Sequence, residues 1–422
     1  YRGLDGNVHA ADGWTNHTVF SLWDTYRALH PLFTLIQPAR TNDLVRSMLA
    51  HADQSALGLL PVWSHWAQEN WCMIGYHSLP VIADAWLKGL RGYDTEAALA
   101  AMQRAATYGA YDGLAGYQRL GWVPDDESRY AASKTVEYAY DDWTLARMAE
   151  GAGRPDLAAA FDARAVNYRH LFDPRTRFLR ARRADGSWRA PFDPLQTHDQ
   201  GYIEGNAWNY SLYVPHDVAW LVQAMGGDDA FAAHLDSLFT MSLPAEAIAG
   251  TEDIARVGVM GNYVHGNEPS HHIPYMYAWA GRPWRTQERV RRILDTMYRN
   301  APDGLCGNDD CGQMSAWYIF SAMGFYPVCP GSGEYVIGAP AARRITLRLD
   351  GGAELRVRAP RLDAHNVYVQ RVELNGRPWD KTYLRHADLA AGGDVLFVMG
   401  PRPNRAWGAA AAARPYSLST GR

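Results

Sequence analysis

Two stretches of the chain set carboxyl groups beside amides and aromatic rings at spacings that could do acid/base chemistry. In "HDQGYIEGNAWNYSLYVPHD", Glu204 sits between a glycine-bounded turn and Asn206, Trp208 and Tyr210. A carboxyl packed against aromatic rings is poorly solvated, so its pKa rises and it can keep its proton near neutrality, which suits a general acid. The competing reading is a helix cap or the partner of an arginine. In "GNDDCGQMSAWYIF", Asp309 and Asp310 stand before an aromatic helix, where unsatisfied N–H groups and the helix dipole favour acids. Capping accounts readily for one of them and less well for both. An ionised carboxylate here, opposite a protonated one elsewhere, would be the general base of an acid/base pair.

Two further stretches could hold a metal or a ring. In "MGNYVHGNEPSHHIPYMY", Asn267 and Glu268 are adjacent, and Pro269 favours an extended or turn conformation at Glu268. An amide oxygen and a carboxylate on an irregular loop are hard ligands suited to calcium. His265, His271 and His272 invite a zinc reading, but no HExxH or comparable spacing backs it. In "SLWDTYRALHP", Trp23, Asp24 and Arg27 share one helical turn. Asp24 and Arg27 could simply pair at (i, i+3), or the indole beside an acid could hold a sugar ring.

The elements that must position these residues are helices. From Thr18 to about Met323 the apolar spacing stays near 3.6, broken by short Gly, Pro and Asp turns. Nearly apolar helices ("GYHSLPVIADAWLKGL", "TVEYAYDDWTLARMAEGAG", "HHIPYMYAWAGR") alternate with amphipathic ones ("DTEAALAAMQRAATYG", "PDLAAAFDARAVNYRHLF"). Buried helices inside and half-exposed helices outside describe an (α/α)6-type toroid, a mainly α fold. Beyond Tyr326 the period changes: "RITLRLD", "AELRVRAP" and "GDVLFVMG" are short and β-branched, and they read as a small antiparallel β module. The expected domains are residues 1–328, helical and catalytic, and 329–422, the β module.

Composition narrows the partners. A formal charge of −4 without a basic stripe argues against nucleic acid, and no apolar run reaches the roughly 18 residues of a membrane helix. Four cysteines lack zinc-ribbon spacing; Cys306 and Cys311 could bridge their loop or stay as thiols. The 16 Trp and 24 Tyr, several beside acids and amides, are the residues that grip the apolar faces and hydroxyl edges of sugars, or else core filler.

Together, "SLWDTYRALHPL", "EGNAWNYSLYVPHD", "GNEPSHHIPYMYAWAGRPWRTQ" and "GNDDCGQMSAWYIFSAMGFYPVCPGSGEYVIG" resemble glycoside hydrolase family 92, the calcium-dependent inverting α-mannosidases. They come in the family's order and span Gly3 to Gly338. The resemblance implies Glu204 as general acid, Asp310 as general base with Asp309 in reserve, and Asn267 and Glu268 as calcium ligands beside the mannose O2 and O3 hydroxyls. Trp23, Asp24 and Trp208 are the expected sugar contacts, joined by Asn262, Tyr263 and His265 of "GNYVHG". Linkage-specific relatives can carry a His-Glu pair where this chain has Asn262 and Tyr263, so α-1,2 selectivity does not follow. Some relatives carry a second acid where this chain has Asn308.

What the resemblance implies for the whole is an exo-acting α-mannosidase on mannose-containing glycans, N-glycans or mannan, secreted or periplasmic. Family members usually carry an N-terminal β-sandwich that contributes to the sugar pocket; the chain reads as starting within the helical domain, so a missing sandwich and an incomplete ring are expected. Three alternatives stand beside this: a mannose-1-phospho-6-mannose uncapping enzyme of the same family, a non-catalytic mannose-binding remnant, and a calcium-independent toroid glycosidase of the trehalase or glucoamylase kind.

Overall fold

Glycine, proline and side-chain caps cut the chain into helices of the two kinds read from the sequence. The computed structural model describes residues 1–243 and 256–421. The chain divides into two units, Tyr1–Val214 and Pro215–Arg422, a cut that falls within the run of helices.

The first unit carries α1 (Leu22–Thr25), α2 (Leu29–Ile36), α3 (Pro38–Gln54), α4 (Ser78–Leu87), α5 (Thr95–Thr107), α6 (Leu114–Leu120), α7 (Ala131–Gly151), α8 (Pro155–Arg164) and α9 (Ala207–Tyr210). Asp94 starts α5 by accepting the Ala97 N–H, and α5 buries one stripe, with Leu99 and Met102 at its centre. Pro155 opens α8, which buries only Ala158 and Phe161. Between such helices α7 is buried on nearly every face and packs against α4, α5 and α8. Burying large side chains of α7 such as Tyr140 and Trp143 contributes about 1.5–3 kcal/mol each. Buried over most of its length, α7 must satisfy Lys134, Glu137, Asp141 and Asp142 within the protein.

The "SLWDTYRALHP" stretch forms two short helices rather than one. Arg27 Nε donates to the Trp23 carbonyl at 2.9 Å, taking the acceptor that a continuing helix would offer to the Arg27 N–H. That N–H turns to the Asp24 carbonyl instead, at 3.3 Å.

The second unit carries α10 (Val218–Ala224), α11 (Asp228–Thr240), α12 (Pro283–Met297), α13 (Gln313–Met323) and α14 (His386–Ala390). "HHIPYMYAWAGR", read as an α-helix, forms instead a 3₁₀ turn over Ile273–Ala278, preceded by another over Glu268–Ser270. There the Tyr275 N–H donates to the His272 carbonyl and the Trp279 N–H to the Met276 carbonyl, both at 3.1 Å, the bonding pattern of a 3₁₀ turn.

The β-rich end of this unit holds β1 (Phe325–Tyr326), β2 (Glu334–Ile337), β3 (Arg344–Arg348), β4 (Glu354–Arg358), β5 (Tyr368–Leu374), β6 (Arg377–Trp379), β7 (Tyr383–Arg385) and β8 (Gly393–Gly400). They make a five-stranded sheet of order β6-β5-β8-β4-β3 and a three-stranded sheet of order β7-β2-β1. All pairs are antiparallel except β4 with β8, where Leu355 faces Gly393 and Val357 faces Val395 in parallel register. The chain between β4 and β8 passes through β5, β6, β7 and α14, and a crossover of that length permits the parallel pairing that a tight hairpin forbids. Helix α12 lies on this sheet; Gln287 Oε1 accepts the Val369 N–H at 3.0 Å.

Candidate active site

In the first unit, Trp23 and Asp24 are buried on α1. Trp23 Nε1 donates to Glu137 Oε1 at 3.1 Å, and the Ser21 hydroxyl donates to the Asp24 carboxylate. The Arg27 guanidinium lies over the rings of Trp23, Tyr26 and Tyr213, 4.8–5.4 Å from their centroids, so its charge is held against π faces.

Glu204 is half-buried and sits in the left-handed backbone region, at φ 46°. That conformation is costly for a residue with a Cβ and persists only where its surroundings hold it. Both flanks do so. Before it, the Ala132 and Ser133 N–H groups donate to the Gly201 carbonyl at 3.0 and 3.2 Å, and the Ile203 N–H donates to Ser133 Oγ at 3.1 Å. After it, the Asn206 side chain accepts the Trp208 N–H, and the Asn206 N–H donates to Asn209 Oδ1, a reciprocal cap for α9. Asn206 therefore performs the capping that Glu204 could have been placed for. Trp208 is half-buried, edge-on to Phe178 at 5.2 Å. Burial raises the pKa of the Cys72 thiol, and the charges of Glu204 and Asp24 raise it further. The two acids, 180 positions apart in sequence, thus act on one side chain.

In the second unit, the adjacent acids divide their work. Asp309 Oδ1 accepts the Ser315 N–H at 3.0 Å and the Ser315 hydroxyl at 2.8 Å, and its carbonyl accepts the Met314 N–H at 3.1 Å. Asp309 thus satisfies first-turn donors of α13 from outside the helix, whose N-cap position is Gly312. Asp310, Cys311 and Gly312 then follow with φ of 47°, 57° and 103°, a left-handed run that swings Asp310 away from the helix start. Its side chain meets Glu268 instead. Burial and the neighbouring Asp309 hold the Asp310 carboxyl above the usual aspartate range, against the opposing hydrogen bond to Glu268. Cys306 and Cys311 are both thiols, the first buried and the second exposed.

The calcium expectation can be tested on this geometry. The carboxylate oxygens of Glu268 and Asp310 come within 4.8 Å of each other. A cation between two carboxylates so placed would offset their repulsion, and ligand distances of about 2.3–2.6 Å let one calcium ion reach both. Asn267 Oδ1, an amide oxygen, accepts the Glu268 N–H at 2.9 Å. The donors are all hard oxygens, so they fit calcium.

Asn262, Tyr263 and His265 are also buried. His265 lies between two phenols, Nδ1 to Tyr263 Oη and Nε2 to Tyr298 Oη, both at 2.7 Å. Burial, with His271 nearby, holds its pKa well below the ordinary histidine value. His271 Nε2 is 3.0 Å from the His265 carbonyl. These rings are engaged in shaping the loop that carries Asn267 and Glu268.

One cluster escaped the sequence reading. His77, on the turn into α4, places Nδ1 at 2.8 Å from Asp141 Oδ1 and Nε2 at 3.0 Å from Glu137 Oε2. Burial alone would lower its pKa; Asp141 and Glu137 outweigh that and lift it to about 9. The available signal was three acids, Glu137, Asp141 and Asp142, in a helix otherwise too apolar to face water.

Carboxylates on strained backbones among aromatic rings, with hard oxygen donors at hand, are groups that glycoside hydrolysis can use. The model of the glycosyl hydrolase family 92 catalytic domain matches residues 1–401, and the chain belongs to that family. It is similar to a solved family GH92 alpha-mannosidase of Bacteroides thetaiotaomicron in complex with mannoimidazole: 43% identity and a TM-score of 0.95 over 99% of this chain and 55% of that one. A family GH92 inverting mannosidase of the same bacterium gives 37% and 0.89, over 99% and 57%. An uncharacterized secreted glycosidase of Arthroderma benhamiae is 27% identical over 81% of this chain and 47% of its own length. The chain therefore spans about half the length of each of these relatives.

Proposed function

We propose that the chain carries the catalytic machinery of an α-mannosidase that releases terminal mannose from N-glycans or mannan with inversion. The observation that carries this reading is the family match over residues 1–401, with neighbours named as mannosidases. In the proposed reaction Glu204 protonates the departing glycosidic oxygen and Asp310 takes a proton from the attacking water, a division that inversion requires of two carboxyl groups. The strained backbones at both residues support the assignment, because each side chain is aimed before substrate arrives. The engagement of Asp309 with the first turn of α13 favours Asp310 as the base. Trp23, Asp24 and Trp208 are the proposed sugar contacts.

Asn267 and Glu268 would hold calcium, with Asp310 beside them; when bound, the ion would supply a template and Lewis acid for the sugar hydroxyls. Tyr263 and His265, engaged with each other and with Tyr298, support a role in shaping this loop rather than gripping a leaving sugar. That leaves linkage open and keeps the mannose-1-phospho-6-mannose leaving group as the second reading. The alternation of buried and half-exposed helices in the first unit supports the toroid reading. Secretion or periplasmic export is supported by the relative described as secreted; no described helix is long and apolar enough to cross a membrane.

The test is mannose release from mannobiosides of each linkage and from a phosphomannan cap, with and without EDTA. Release that needs calcium and is lost in Glu204→Gln and Asp310→Asn is the expected result. No release from any substrate would leave two readings, a pocket that needs the family's N-terminal sandwich or a mannose-binding remnant, and release indifferent to EDTA would favour the calcium-independent glycosidase.

A further inference from the structure

Glu137 is fully buried on α7, and three donors converge on its carboxylate. Oε2 faces His77 Nε2 at 3.0 Å; Oε1 accepts from Trp23 Nε1 at 3.1 Å and from Tyr210 Oη at 3.3 Å. Trp23 is the chain neighbour of Asp24. Tyr210 closes α9 and backs the Glu204 turn: a Cβ on Gly205 would meet the Tyr210 ring at 3.3 Å. One carboxylate therefore ties two segments, 114 and 73 positions away in opposite directions, that present the two acids of this unit.

We propose that Glu137 is a positioning residue for mannoside hydrolysis, holding the Trp23 indole and the Tyr210 phenol so that Asp24 and Glu204 keep their places. The inference rests on the reading that Asp24 and Glu204 serve the sugar site. His77 orients the hub: clamped between Asp141 and Glu137 and stacked on Tyr26 at 4.5 Å between centroids, it fixes which carboxylate edge is left for Trp23 and Tyr210. A carboxylate is the group this site needs, since it accepts on both edges. With His77 carrying both ring protons, as its pKa of about 9 requires at neutral pH, a glutamine at this place turns its amide NH₂ on a donor on one side.

The experiment compares Glu137→Gln with Asp142→Asn, a change of the same kind at a buried carboxylate held by Tyr76, Tyr117 and Arg164. Two readouts are taken: steady-state mannoside hydrolysis per folded molecule, and the indole N–H resonance of Trp23, assigned with Trp23→Phe. Glu137→Gln is expected to lower kcat about tenfold or more with KM within about threefold, and to shift the Trp23 signal. Asp142→Asn is expected to leave kcat within about twofold and the signal in place.

Equal kcat losses in the two variants, or an unmoved Trp23 signal in Glu137→Gln, would overturn the proposal. Should Glu137→Gln fail to fold, Tyr210→Phe takes its place, removing one donor while keeping the ring. A kcat lowered at least about threefold supports the hub, and an unchanged one overturns it. If the unaltered chain hydrolyses no mannoside, the activity reading falls by itself, and the Trp23 signal alone decides whether Glu137 orders that segment.

Discussion

Each unit of this protein holds a cluster of carboxylates, and the two are built on opposite principles. In the first, Glu137, Asp141 and Asp142 project from a regular helix, fully buried, and meet His77, Arg164 and the phenols of Tyr76 and Tyr117. In the second, Asp309 and Asp310 lie on an irregular turn, half-exposed, with Asp310 on a left-handed backbone beside Glu268. Charge in the first cluster is balanced by fixed partners that folding itself supplies. Strain in the second is held by neighbours and leaves a carboxylate available. Saturated acids thus serve the architecture, and the strained acids are those proposed here for the chemistry, with Glu137 the member of the first cluster proposed to reach toward the second role.

The contrast breaks most decisively at Asp310. Asp310→Asn is expected to lower mannoside turnover by about 10²–10⁴-fold while thermal stability holds, because the asparagine amide can still donate to the buried Glu268. A large loss of stability, read by calorimetry alongside activity, would place Asp310 with the structural acids. Chelation comes next: EDTA is expected to abolish turnover, and calcium to restore it, with far-UV circular dichroism unchanged.

Stability should respond to the first cluster instead. Asp142→Asn leaves Arg164 without its charge partner, and an expected loss of about 3 kcal/mol or more is readable by chemical denaturation. The same cluster sets a pH signature. His77 titrates near 9 in the fold, against 6.5 ordinarily, so its contribution is fully present below about 6.5 and lost as pH rises through 9. The total is on the order of 3 kcal/mol, and denaturation midpoints of His77→Asn should lack that slope. The smallest effect belongs to the start of α13: Ser315→Ala, removing one of two donors to Asp309, is expected to cost about 1 kcal/mol or less and to spare turnover within a few-fold.

Much of the proposed site can be read in the letters of the sequence. Glu204, Asn267, Glu268 and the Asp309–Asp310 pair announce themselves as polar groups abutting aromatic helices. The amphipathic period of α5, the buried period of α7 and the β alternation of β4 are equally plain in the letters. Legibility failed where contacts are non-local. Nothing in "GYHSLPV" shows that His77 will lie between two acids sixty and more positions later. Nor does "GNYVHG" show that Tyr263 and His265 turn inward to each other and to Tyr298.

Sequence alone determined the family, the helical-then-β order of elements and the residue types that can do acid/base and calcium chemistry. These depend on local periodicity and on motifs that remain together in the chain. Only the tertiary structure decided which acid of the pair binds the first turn of α13 and which turns to Glu268, that Glu137 joins the segments of Asp24 and Glu204, and that β4 and β8 run parallel. Those outcomes turn on backbone hand and on partners far away in sequence, and neither is encoded in the neighbouring residues.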